Sequence, residues 1–426
     1  MTPASPHVAV IGGGWAGCTA ALTLAEAGIP TTLYESSRTL GGRARAVELE
    51  GQSLDNGQHI LLGAYEQTLQ LIESLRADAQ PPGTWRLPLA LNQPPDFRLA
   101  CPRLPAPLHL LAGLLGAHGL TWREKLAAAR WANTLLHDNT LIDRQTVSQF
   151  TCMQPDKLNR LLWHPLCISA LNTPPDIASA AVFREVIRGA FGGRTHHSDL
   201  LLPRRDLTAL LPAPAAARIA ELGGTVRLAS RVTSIRASSD GIHLLTRDDE
   251  AHFSHAIIAV APQHLAALVA TVPELGSIVH QVTQYDYQPI ATGYIQYDAA
   301  FQLEQPLFAL GDGPAQFVFD RGQSHGQSGL LALVASAATH LPADWVDQAA
   351  AQVQRIAQPG DARWRKSIVE KQATYSCVPG LPRPGVATPH PRLFLAGDYT
   401  AGPYPATLET ATQSGVQSAA VLLETL

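Results

Sequence analysis

The 426-residue chain predicts an α/β fold. A parallel-sheet domain is expected from residues 1–75, 200–270 and 385–426, with a discontinuous α+β domain from 76–199 and 271–384. Three observations carry this reading. Residues 8–34 read as strand, glycine turn, helix, strand. Between 76 and 199 the character changes, and prolines cluster at 81–107. Near the end, a strand closing on Gly-Asp and a further helix return to the opening pattern.

Composition narrows the function classes. Hydrophobic residues make up 46% and charged residues 15%, which excludes a disordered chain and supports a large core. A net charge of −4, no basic block and 6% aromatics argue against a nucleic-acid partner. Cys18, Cys101, Cys152, Cys167 and Cys377 are scattered and form no CxxC pair. That disfavours a disulfide framework or zinc site and fits a reducing cytoplasm. No metal site is expected. HExxH spacing is absent, and the adjacent His196 and His197 would not face one point on a helix or strand. His7–Ile11 lacks a basic region and runs into glycines, so it reads as a strand rather than a signal peptide. Leu104–Trp122 carries no formal charge, but Pro105, Pro107, Gly113, Gly116 and Gly119 break it as a membrane span.

Val8–Ile11 is a short buried-type strand. Gly12-Gly13-Gly14-Trp15-Ala16-Gly17 follows, then a small-residue helix stopped by Gly28, then the strand Thr31–Tyr34 with Glu35 at its end. This is GxGxxG in the context that dinucleotide binding requires. Gly12 permits the tight turn, Gly14 lets backbone approach a diphosphate, and Gly17 lets helix pack on strand. The helix start at Trp15 and Ala16 offers free N–H groups and partial positive charge. Glu35 can accept from ribose hydroxyls.

Further along, the prolines give way to a helix starting at Thr121, with Glu124 completing a capping box. The insertion is expected to be helix-rich. A helix is expected at Leu207–Leu222, strands at Thr225–Leu228, Val232–Ile235, His243–Thr246 and His255–Val260, and Asp240-Gly241 as a turn. Strands are also expected around Gly293–Tyr297 and Gln316–Phe319, and a helix at Ala343–Ile356. Leu393–Ala396 is a strand running into Gly397-Asp398, and Thr407 and Leu408 open the last helix.

Arg38-Thr39-Leu40-Gly41-Gly42-Arg43 resembles the second signature of the flavoprotein group that holds amine oxidases, phytoene desaturases and protoporphyrinogen oxidases. The resemblance implies FAD, held non-covalently in a Rossmann-type, glutathione-reductase-like domain. It places Arg38, Gly42 and Arg43 near the cofactor, with Arg43 neutralising diphosphate charge. Leu54-Asp55-Asn56-Gly57-Gln58-His59 matches a loop that lies beside the isoalloxazine ring. Gly57 allows close approach there, with Gln58 and His59 as neighbours. Val232 corresponds to an adenine contact, and Gly397 with Asp398 to a ribityl or diphosphate-side contact. Thr407 and Leu408 begin the helix aimed at the flavin pyrimidine edge.

Within that group, Trp163–Pro174, Ser179-Ala180, Phe183, Leu200–Pro203 and Leu54–Tyr65 resemble the hydroxysqualene dehydroxylases of bacterial squalene and hopanoid biosynthesis. The implied activity is reductive dehydroxylation of hydroxysqualene to squalene, with hydride passing from reduced flavin to an allylic cation. Asp55, His59, Tyr404 and His164 are the candidate acids. The implied partners are the isoprenoid substrate, an electron donor of unidentified class and the upstream squalene-pathway synthases. Leu104–Trp122 is read either as a substrate entrance dipping into the inner membrane of a cytoplasmic protein, or as a packed core hairpin. Oxidative carotenoid desaturation, amine oxidation and a non-enzymatic lipid chaperone are the other readings. The chaperone is disfavoured because all three flavin motifs are intact.

Overall fold

The computed structural model describes residues 6–77, 80–137, 142–247 and 249–426. A five-stranded parallel sheet runs in the order 225–227, 31–34, 8–11, 255–258, 393–395. Val8 lies opposite Thr31 on one side and His255 on the other. The central strand is buried at every position, as a parallel strand covered on both faces must be. Its side chains alternate between two cores. Val8 and Val10 pack with Leu22, Leu24, Ile219 and Leu422, from helices Trp15–Glu26, Pro212–Glu221 and Leu408–Leu423. Ala9 and Ile11 pack with Ile235, Leu244 and Phe253, from an antiparallel sheet of strands 232–237, 242–246 and 250–253.

The expected helix at Leu207–Leu222 is two helices, Leu207–Leu210 and Pro212–Glu221. Pro212 drives its predecessor out of the helical region, and Leu211 sits at φ −138°. Asp206 caps the first of them by accepting from the Ala209 N–H at 2.8 Å.

The remaining segments build an antiparallel sheet in the order 307–309, 317–320, 330–336, 287–296, 364–375. They also build a helical layer that includes Leu108–Gly116, Trp122–His137, His164–Leu171 and Ala180–Phe191. The insertion is less purely helical than expected. Its proline-rich part forms strands at 84–87, 90–93 and 97–100. Strand 84–87 pairs with 200–203, whose other neighbour is 61–62, so one small sheet joins the insertion to the chain on either side of it. The capping box is present, since the Thr121 N–H donates to Glu124 at 2.7 Å and the Glu124 N–H to Thr121 Oγ1 at 3.4 Å. Among the described residues, no helix is long and apolar enough to cross a membrane.

Candidate active site

Two glycines of the turn have no room for a side chain. Gly12 takes φ +112°, and a Cβ there would lie 2.6 Å from the Ala259 carbonyl oxygen. A Cβ on Gly17 would lie 1.8 Å from the Gly12 oxygen. Gly14 opens the helix without any side-chain cap, so backbone donors face outward there. The second motif lies directly on this turn. The Gly41 N–H donates to the Gly13 oxygen at 2.8 Å, and a Cβ on Gly42 would come within 3.3 Å of Gly14 Cα. Glu35 braces both segments by accepting from the Gly13 and Ser37 N–H groups, each at 2.7 Å. Its own carbonyl accepts from the Ser230 N–H at 2.8 Å, which brings the start of strand 232–237 alongside.

The distant motifs converge on the same edge. Arg43 donates to Asp398 at 2.6 Å and to the Ala373 carbonyl at 2.7 Å. The Gly397 N–H donates to Ser414 Oγ at 2.8 Å. Thr407 caps the last helix by accepting from the Thr410 N–H at 3.1 Å. Arg383 holds the approach to that helix, donating to the Tyr404 carbonyl at 2.7 Å and to the Tyr375 hydroxyl at 3.0 Å.

Loop 55–59 is fastened from several sides. Asp55 accepts from Arg321 at 2.9 Å and from the Leu207 N–H at 2.8 Å. Arg321, fully buried, also donates to Gln58 at 2.8 Å and Gln327 at 2.6 Å. The Tyr294 hydroxyl donates to the Asp55 carbonyl at 2.8 Å. His59 donates Nδ1–H to the Gly57 carbonyl at 2.6 Å. Burial holds its pKa below the ordinary histidine value.

Beyond this loop lies a cavity of about 1000 Å³, at the upper end of the roughly 300–1,000 Å³ of ligand pockets. Its walls are overwhelmingly apolar and include Ile60, Leu114, Leu162, Phe191, Phe317 and Phe319. Ile60 directly follows the fastened loop, so one wall of the cavity adjoins residues 55–59.

The model of one family, described as flavin containing amine oxidoreductase, matches residues 15–423. The chain belongs to this family. A similar curated protein is the hydroxysqualene dehydroxylase of Sinorhizobium fredii, 26% identical over 438 residues and 98% of each chain. A second is the 15-cis-phytoene desaturase of Synechococcus elongatus, 24% identical over 98% of this chain and 96% of that one. Among solved structures, an oxidoreductase from Methanosarcina mazei superposes with a TM-score of 0.73 at 14% identity, covering 97% of this chain and 99% of the other. This flavin amine oxidoreductase is an FAD-dependent enzyme.

The residues fit FAD. The uncapped helix start at Trp15 and Ala16 suits a diphosphate, and the Gly14–Gly42 contact leaves a flat, side-chain-free surface beside it. Glu35 sits at the strand end, with Val232 nearby. Arg38 is exposed. Arg43 does not stand free for the diphosphate, because it is already bound to Asp398 and Ala373. Its geometry positions Asp398 and leaves the diphosphate to the helix start.

The four candidate acids are scattered. Asp55 has partners on both oxygens and is built as the buried counter-ion of Arg321. His59 uses its proton on Gly57, so its free nitrogen is an acceptor rather than an acid. Tyr404 is half-buried with its hydroxyl against Gly189, and burial raises its pKa. Only His164 of the four lies on the cavity wall. Arg321 and Arg383 were not foreseen. Arg321 pairs across 266 residues with Asp55, and no local motif marks it.

Proposed function

We propose that this flavoprotein removes the hydroxyl group of hydroxysqualene to give squalene. The observation that carries the reading is the large apolar cavity whose wall includes Ile60, next to the fastened loop 55–59. The relative named hydroxysqualene dehydroxylase supports it. An allylic alcohol, a proton and a hydride yield the hydrocarbon and water. Bound in its reduced form, FAD would supply the hydride, and a reduced pyridine nucleotide or another carrier would restore it. The chain's own residues do the rest. The apolar walls exclude water from an allylic cation. His164, on the cavity wall, is the proton donor of this reading, and because burial lowers its pKa, turnover should rise as pH falls. Asp55, Gln58 and Arg321 keep the loop under the reacting carbon rigid.

The phytoene desaturase relative favours a second reading, in which hydride leaves a polyene. Anaerobic incubation of the FAD-loaded protein with hydroxysqualene and dithionite should give squalene by mass spectrometry. Absence of squalene, with oxidation of phytoene under oxidised FAD, overturns the first reading in favour of the second.

The entrance is proposed to open on a bilayer, where a thirty-carbon oil resides. Helix Leu108–Gly116 turns Leu110 and Leu114 into the cavity. Leu104, Leu108, Leu115 and Trp122 (73% exposed) face outward, flanked by exposed Arg103 and Arg123. The segment is thus core on one face and surface on the other, so Leu114 is unsuited to testing membrane contact. Leu108→Asp and Trp122→Asp should each weaken liposome binding about tenfold, the loss of one buried large side chain of roughly 1.5 kcal/mol or more. FAD content should stay unchanged, and undiminished liposome binding refutes the bilayer contact.

A further inference from the structure

Outside the flavin site, two clusters of histidine and carboxylate gather their ligand atoms within 4.8 Å of one another among the described residues. The first is Glu66, His196 and His197. These adjacent histidines do converge, contrary to expectation, because Thr195–Ser198 is a tight 3-10 turn rather than a helix or strand. Burial first, then His197, Arg86 and Arg194, depress the His196 pKa, and the two neighbouring guanidiniums oppose a cation there.

The second cluster is different. His243 and His252 are direct cross-strand partners in the antiparallel sheet that covers the parallel one. Their rings stand 4.8 Å apart. Asp240, in the turn before the second strand, aims one oxygen at each: Oδ1 lies 3.7 Å from His243 Nε2 and Oδ2 lies 3.6 Å from His252 Nε2. His243 turns its other nitrogen to Glu250 at 3.3 Å, and Arg236 holds Glu250 at 2.6 Å. A carboxylate behind a histidine fixes the tautomer and leaves the Nε2 lone pair free for an ion. In a tetrahedral site with bonds of about 2.0–2.1 Å, ligand atoms sit about 3.3–3.4 Å apart. Each histidine lies a few tenths of an ångström beyond that from one of the two Asp240 oxygens, and all the ligand atoms lie within 4.8 Å of one another, so small rotations of these side chains bring them around an ion.

We propose that Asp240, His243 and His252 form a binding site for a divalent first-row transition ion, with Glu250 as the residue that positions His243. Two imidazoles and a carboxylate suit zinc, cobalt or nickel and leave a position open to water. The ion would link the turn to two neighbouring strands, on the sheet whose first strand begins with Val232.

Calorimetric titration of the FAD-loaded, metal-free protein with zinc chloride tests this. The expected result is one zinc per chain. His243→Gln, His252→Gln and Asp240→Asn should each weaken binding at least tenfold. Glu250→Gln should weaken it by about ten- to a hundredfold. His196→Gln should leave it intact. Asp240 lies in an exposed turn, so Asp240→Asn keeps the test valid if a strand variant misfolds. Absence of stoichiometric zinc, undiminished binding in Asp240→Asn, or loss confined to His196→Gln overturns the assignment.

Discussion

Arg321 shows how much of the site rests on one side chain. Its guanidinium ties Asp55, Gln58 and Gln327 together with no access to water. Removing one partner of a buried ion pair leaves the other charge uncompensated, at a cost of about 3–5 kcal/mol. Arg321→Gln should therefore lower unfolding free energy by about that amount in urea, and lower FAD content with it. A loss under about 1 kcal/mol would mean that Asp55 is neutral and the pair carries no charge. Asp55→Asn should likewise act on stability and FAD retention together, rather than on turnover alone. Glu35→Ala should weaken FAD binding by about 1.5–3 kcal/mol, and unchanged affinity in a fluorescence titration would remove Glu35 from the site. Asp55 entered through the resemblance, as a candidate acid rather than a counter-ion, and Glu35 was legible in the sequence from its place at the end of strand 31–34. Arg321 was not, because its signal is a contact across the fold, and a lone arginine before a Gly-Gln pair resembles any surface residue.

At the scale of elements, legibility follows local chemistry. The helix cap at Thr121 and the glycine stop at Gly28 are written within four residues, and both formed as expected. The strands among the prolines were not foreseen, since their partners lie far away in sequence or rest on pairing that composition hides. The break before Pro212 was readable in principle from the proline alone. Helix packing at the flavin edge depends on one such small residue. A Cβ on Gly415 would lie 2.4 Å from the Ala16 oxygen and 3.0 Å from Thr19 Cβ. Both neighbours belong to the helix that follows the glycine turn, and backbone cannot yield cheaply. Gly415→Ala should push the last helix away from the first, costing about 1–3 kcal/mol in unfolding free energy as overpacking does. The displaced Thr407 end should also loosen FAD. Stability equal to or above that of the parent would show that the two helices part without penalty.

Over the whole molecule, burial of histidines sets an acid limit on stability. His59, His109, His164, His255 and His325 all have pKa values depressed chiefly by burial. His325 is the extreme case, pushed down to about 3. It lies 3.8 Å from Asp55, yet it stays neutral, because burial and the neighbouring Arg321 both oppose a second positive charge beside a carboxylate that Arg321 already occupies. Unfolded, the same side chain takes up a proton near pH 6.5. Between that pH and about 3 the unfolded chain binds more protons than the folded one, so stability rises with pH across this window. The stabilisation is fully present above about pH 6.5 and is lost as pH falls, by about 1.4 kcal/mol per unit for one such group. Urea unfolding at about pH 7, 6 and 5 should show a steep decline for the parent protein. His325→Asn should lessen the slope between about pH 6 and 5 by about 1.4 kcal/mol per unit, because asparagine takes up no proton in either state. An unchanged slope would mean that folded His325 protonates near its ordinary value and pairs with Asp55, which would reassign the charge balance beneath the flavin loop.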